Sequence, residues 1–270
     1  MVISLVHVLV LFAVAFLVSK PETPRLKKIF WSGFILKLVG GIALGLVYTY
    51  YYQVGDTLNF YADGVRFAEQ ARKDFSGYIT FIGGNTLYDP WTGLSAEPRT
   101  IFISKIVSIF CLLTQDNYWI ASLYFSALAF FGAWYLVKII IQHQPELWLA
   151  TVLSFLFLPT TVFWSSGIIK ESLSMGGLFF MAGVFIKVWT SQRVRILEWI
   201  IVFLCCGLVW KLKYYFLVVF LPVIFTTWVM KQFILPRTTF KKVYYELMVW
   251  LVIFIVPLYV VSLIRPNFYP

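Results

Sequence analysis

The sequence predicts an all-α, polytopic transmembrane helical bundle. Three observations carry that prediction: an apolar composition, recurring long apolar runs, and short basic clusters between them. Hydrophobic residues make up 61% of the 270 and charged residues only 13%, against roughly a quarter charged in soluble domains. Several runs reach the roughly 20 helical residues that cross about 30 Å of hydrocarbon. Such segments must be helical, because lipid offers no partner to an unpaired amide. The net charge of +10 does not indicate a nucleic-acid ligand, since the basic residues sit in loops beside apolar runs, where anionic lipid would meet them.

Residues 1–18 form the first run. No basic residue precedes it and no small-x-small site comes before Lys20, so it reads as a retained span and not a secretion signal. The clusters Lys20/Arg25/Lys27/Lys28, Arg193/Arg195 and Lys231/Arg237/Lys241/Lys242 mark cytoplasmic loops. A span over 29–52 therefore leads outward and delivers 53–99 as a large extracytoplasmic loop. Eight of the twelve acids fall on that side, Asp56, Asp63, Asp89 and Glu171 among them. Working back from Arg193, 172–189 returns inward, so an even number of crossings must separate Arg99 from Trp164. The run 101–114 is the odd one out: as a helix it is only about 21 Å long, it carries Lys105, and it is expected to be re-entrant or interfacial. Residues 119–138 and 147–163 then cross. The run 196–230 lies between two basic clusters and is expected to be a hairpin with its tip at WKLKYY, 210–215. A last span covers 243–264. Trp119, Trp164 and Trp210 fall at outer ends, and Trp148, Trp189 and Trp228 near inner ends, as the interfacial preference of tryptophan asks. The expectation is one transmembrane domain over 1–270: about eight spans, one dip, an outer amphipathic helix, and both termini outside.

The candidate functional residues gather on the outer side. From Tyr61 onward, Tyr61, Val65, Ala68 and Phe75 recur at helical spacing with Arg66, Glu69, Arg72 and Lys73 opposite, the pattern of a helix lying on the membrane surface. Asp56 precedes it and Asp63 follows two turns on, so both acids are in register to point at one spot. A carboxylate at such a boundary can act as general base for a hydroxyl. Asp56 reads equally well as an N-cap, and Asp63 alone as a solvated charge. Lys170-Glu171 follows WSSGII (164–169) and opens a membrane helix, where a lysine can grip phosphate with the positive helix end. Snorkelling explains Lys170 as well, and the helix dipole Glu171. Lys211 and Lys213, with Tyr214 and Tyr215, add cations at the same depth. Membrane-level cations outside cytoplasmic loops are costly and tend to be functional, so these groups together point to an anionic head group. Lys37, in the inner part of its span, has no assigned role. Cys111, Cys205 and Cys206 lie inside apolar runs and offer neither a disulfide framework nor metal spacing. His7 and His143 are isolated, and no nucleotide, zinc or Ser/His/Asp motif is present.

In their order and common sidedness, three features resemble the GT-C superfamily of integral-membrane glycosyltransferases. They are the outer loop opening Gly55-Asp56 and continuing through Tyr61 and Asp63, the stretch WSSGIIKE over 164–171, and WKLKYY, whose Lys213-Tyr214-Tyr215 is similar to a basic-aromatic segment. The likeness covers about 55–222. Members are usually much longer, so the chain would be a short or truncated one. The resemblance implies a polyprenyl-phosphate-linked sugar as donor and a glycan, lipid or protein hydroxyl as acceptor, on the extracytoplasmic side. It implies Asp56 as base with Asp63 in support, and Lys170, Lys211 and Lys213 on the lipid phosphate, stabilising charge as the phosphate leaves. Glu171, Tyr61, Trp164 and Tyr214 would be supporting residues, and the prenyl chain would enter between the spans and the 101–114 dip. No metal ligands are assigned; some members use a divalent metal and others do not. Membrane lipid is an expected partner, a membrane-protein partner is compatible with the length, and the bacterial inner membrane is the default location. Two other classes fit the same cations: a lipid or small-molecule transporter or flippase, although no inverted repeat is visible, and a non-catalytic membrane subunit of an envelope assembly.

Overall fold

Apolar runs that must pair their own amides become helices, and among the described residues there is no strand. The structure, a computed structural model, describes residues 2–84, 97–234 and 243–264. Asp89 of the outer loop, and Arg237, Lys241 and Lys242 of the third basic cluster, lie outside the described residues. The α-helices are α1 Val2–Ser19, α2 Pro24–Leu46, α3 Asp56–Lys73, α4 Phe75–Gly83, α5 Pro98–Thr114, α6 Tyr118–His143, α7 Trp148–Val152, α8 Pro159–Phe163, α9 Lys170–Trp189, α10 Ile196–Val229 and α11 Val243–Ile264. α2 runs on into a wider π-helical turn over Val47–Tyr52. Four segments are long and apolar enough to cross a membrane: Pro24–Tyr52, Tyr118–His143, Lys170–Trp189 and Ile196–Phe233. They mark a membrane protein.

That number is smaller than the eight spans expected. Residues 147–163 do not form one helix: α7 gives way to a π-helical turn over Leu153–Phe157, the chain turns extended at Leu158, and α8 restarts at Pro159. Proline lacks an amide donor and suits the first turn of a helix, not its interior. α1 is a shorter apolar helix, as is the described apolar part of α11, Tyr244–Ile255.

The frame of the bundle is the parallel pair α6 and α9, which cross on glycine. A Cβ on Gly132 would fall 2.6 Å from the carbonyl carbon of Gly176, and one on Gly183 would fall 2.7 Å from the ring of Tyr135. Small residues let two membrane helices approach this closely, which is what holds them in the absence of water. α2 packs on the other side of α6 through aromatic edges: Phe30 meets Phe130 and Trp134, each with centroids 5.1 Å apart. α1 runs beside α6 from end to end. Ser4 meets Asn117 and His7 bonds Tyr124 and the Leu113 carbonyl at one end, while Glu22 pairs with Lys138 at 2.7 Å at the other. The N-terminal end of α1 thus lies at the end of the bundle that holds Asp116 and Asn117.

Two segments, α10 and α5, have a course set by their side-chain partners. Within α10, Lys213 leaves helical geometry at φ −144° and ψ 62°. Glu198, near the start, takes Lys187 of α9 at 2.8 Å, and Lys231, just past the end, contacts the Trp189 carbonyl and lies 4.8 Å from its ring. A straight helix would hold Glu198 and Lys231 about 50 Å apart. Since both reach the C-terminal end of α9, the chain reverses at Lys213, inside WKLKYY. α5 lies along α3. Ser104 bonds Asp63 at 3.4 Å, a Cβ on Gly64 would overlap Val107, and the residue after the Gln115 cap, Asp116, is held by Arg72 near the end of α3. The middle of α5 and the turn after it are thus both held against α3.

Candidate functional site

Asp56 is placed by a backbone turn that only glycine tolerates. Gly55 holds the cap position of α3 at φ +144°, where a Cβ would overlap the ring of Tyr48. Asp56 is therefore the first residue of the helix and not its cap, and its carboxylate is exposed. Tyr48 lies within electrostatic reach of both Asp56 and Glu171, which brings the start of α3 and the start of α9 to one place. Thr57 anchors that start, its hydroxyl 2.9 Å from the Tyr118 phenol.

The start of α9 is fixed from below. Ser165 to Ile169 are buried, Gly167 takes φ +72°, and its amide donates to the Ser126 hydroxyl at 2.9 Å. Ser166 donates to the carbonyls of Val162 and Lys37 at 2.6 and 3.2 Å. Lys37, 5% exposed and within Pro24–Tyr52, donates to the Thr161 and Val162 carbonyls and to the Ser165 hydroxyl. An amine donor at the carbonyl end of the short α8 satisfies groups that no helical partner reaches. Lys37 had no role assigned from the sequence, and no local pattern points to this partner.

Above this turn the cations converge. Lys170 Nζ lies 3.3 Å from Glu97, 3.2 Å from the Thr100 hydroxyl and 5.0 Å from the ring of Phe60 on α3. Lys213, half-buried at the reversal in α10, pairs with Glu171 at 2.6 Å. Arg99 sits 4.9 Å over the ring of Tyr214 and 3.1 Å from Glu97. Lys211 is exposed and within electrostatic reach of Lys105, which donates to the Gly84 carbonyl at 2.8 Å. Asp56, Lys170, Glu171, Lys213 and Tyr214 therefore share one end of the bundle.

Other expected residues stand apart. About 10 Å of helix rise separates Asp63 from Asp56, and Asp63 pairs with Arg66 at 2.9 Å and Ser104 at 3.4 Å, with no neighbour in common with Asp56 among those bonds. Tyr61 donates its hydroxyl to the Asp116 carbonyl, burial pushing its pKa up so that it stays a neutral donor; it pins α3 to the α5–α6 turn. Trp164 is half exposed and rests edge-on against Phe163. Glu97, Arg99, Thr100, Tyr48 and Phe60 were not singled out by the sequence. The one available signal was Glu97-Pro98 at a helix start.

Below the cluster an apolar groove of about 530 Å³ runs between α5, α6, α9 and α10. Ile106, Leu173 and Leu208 line its upper part, Gly132 and Gly176 its wall, and Lys138 with Glu22 its far end. The glycines that let α6 and α9 touch also leave this wall without side chains. Among the described residues, no three His, Cys, Asp or Glu gather closely enough to hold a metal ion. No family model, no curated protein and no solved structure matches the chain.

Proposed function

We propose that the chain is a membrane glycosyltransferase of GT-C type, moving a sugar from a polyprenyl phosphate to a hydroxyl on the extracytoplasmic side of a bacterial cytoplasmic membrane. The observation that carries this reading is the meeting of Asp56 with Lys170 and Lys213 at one end of the bundle, through Tyr48, Glu171 and Phe60. The Asp56 carboxylate takes the proton of the acceptor hydroxyl. The freed oxygen attacks the anomeric carbon, the bond from that carbon to the phosphate oxygen breaks, and both its electrons leave with the lipid phosphate. Lys170 and Lys213, with Arg99 beside them, stabilise the charge that grows there. Glu97 and Glu171 neutralise these cations meanwhile, and the phosphate competes with them. The groove beneath suits a prenyl chain, because its walls are apolar and its upper end lies near Leu173, one turn below Lys170.

Eight crossings follow in this proposal if α10 counts as two arms and α7–α8 as one broken span. Asp56→Asn keeps the shape of Asp56 and removes its basicity. Sugar transfer from a polyprenyl-phosphate donor should fall by about 10²- to 10⁴-fold with the melting temperature unchanged; full activity in this variant removes Asp56 from the mechanism. The groove also favours a second reading, a transporter of anionic lipid. Movement of lipid across proteoliposomes with no acceptor present would favour it.

A further inference from the structure

The opposite end of the bundle carries a second polar concavity. α9 ends at Trp189, about 28 Å along the helix from Lys170, and the turn into α10 is closed by the Gln192 amide on the Lys187 carbonyl at 2.9 Å, with Ser191 at φ +58°. This turn borders an open concavity of about 790 Å³ lined by Lys187, Gln192, Arg193, Val194, Arg195 and Ile196.

The charges there are unequally used. Both oxygens of Glu198 take Lys187 at 2.8 Å, Oε1 also accepts from the Tyr135 phenol at 2.6 Å, and Oε2 from the Arg195 amide at 2.7 Å. Glu198 is thereby saturated. Arg193 and Arg195 stay exposed, and no carboxylate bonds either guanidinium among the described residues. The positive end of α10 adds to the field. Immediately beside the arginines, Ile196 is 77% exposed and Leu197 61%, with Trp199 and Ile200 half exposed. A ligand filling both halves has an anionic head for the guanidinium forks and an apolar body for the start of α10. Free phosphate fits only the first half.

We propose that this turn binds the head group of one anionic phospholipid of the facing leaflet, its phosphate held by Arg193 and Arg195 and its chains against Ile196, Leu197 and Ile200. Guanidinium suits this role, because its planar donors meet phosphate oxygens two at a time. The inference rests on the membrane reading alone and is independent of sugar transfer.

The test is native mass spectrometry of the full chain released from nanodiscs of mixed phosphatidylglycerol and phosphatidylcholine. One phosphatidylglycerol should be retained per chain. Retention should weaken about fivefold for each arginine removed and about thirtyfold in R193Q/R195Q. The charge-matched K27Q/K28Q, at another basic cluster, should lose less than twofold. Gln192→Trp, which fills the concavity without changing charge, should weaken retention at least fivefold. Equal losses in R193Q/R195Q and K27Q/K28Q would show diffuse attraction and overturn the site. Displacement of the lipid by inorganic phosphate at equal concentration would overturn the assignment to a lipid head group.

Discussion

Gly132→Ala tests the crossing of α6 and α9 on which the frame and the groove both depend. The new Cβ would lie 2.6 Å from the carbonyl carbon and 2.8 Å from the Cα of Gly176, and nearer still to its carbonyl oxygen. All three atoms are backbone, so no rotamer change relieves the overlap and the helices must part. Overpacking a tight site costs about 1–3 kcal/mol, and a clash with backbone belongs at the upper end. Alanine returns at most about 1 kcal/mol through helix propensity. A net loss of about 2 kcal/mol follows, measured by unfolding in mixed detergent micelles. Gly207, with nothing within 4 Å of its would-be Cβ, is the control: Gly207→Ala should be neutral or stabilising by up to about 1 kcal/mol. Equal stability of Gly132→Ala and wild type would refute the close crossing.

Glu198→Ala leaves Lys187, whose side chain is 11% exposed, charged without its partner. A loss of about 3–5 kcal/mol is expected, and Lys187→Met with Glu198→Leu should recover most of it; a mild single variant would show that water reaches the pair. Asp116→Asn weakens the paired contacts of Arg72 at 2.8 and 2.9 Å, whose side chains are 41% and 29% exposed. Solvent screening holds the cost below about 1 kcal/mol, so faster hydrogen exchange in α3 with little change in global stability is expected, and a large global loss would contradict it.

Much of the frame was legible because apolar runs of helical length admit few folds in lipid. Asn117 and Asp74 cap α6 and α4, the short polar residues expected just before a helix. The amphipathic α3 followed from its periodicity, and the reversal at Lys213 from its place between two basic clusters, since WKLKYY contains no turn residue of its own. Counting crossings by parity treats 147–163 as one span, whereas Pro159, visible in the sequence, marks where the helix breaks. At the candidate site Asp56, Lys170 and Lys213 stood out as charges at span ends. Glu97, Arg99 and Thr100 did not, because their closeness to Lys170 and Tyr214 depends on α5 lying along α3, a tertiary fact. Lys37 meets its carbonyl partners 124 and 125 residues along the chain, beyond any local pattern.

The central claim is that the cations at the upper end of α9 and the bend of α10 hold a lipid phosphate. Mass spectrometry of lipid co-purified with the wild type and with K170Q/K213Q addresses it most directly. The account predicts a polyprenyl-phosphate sugar with the wild type and its loss in the double variant. Ordinary phospholipid alone in both preparations would contradict it.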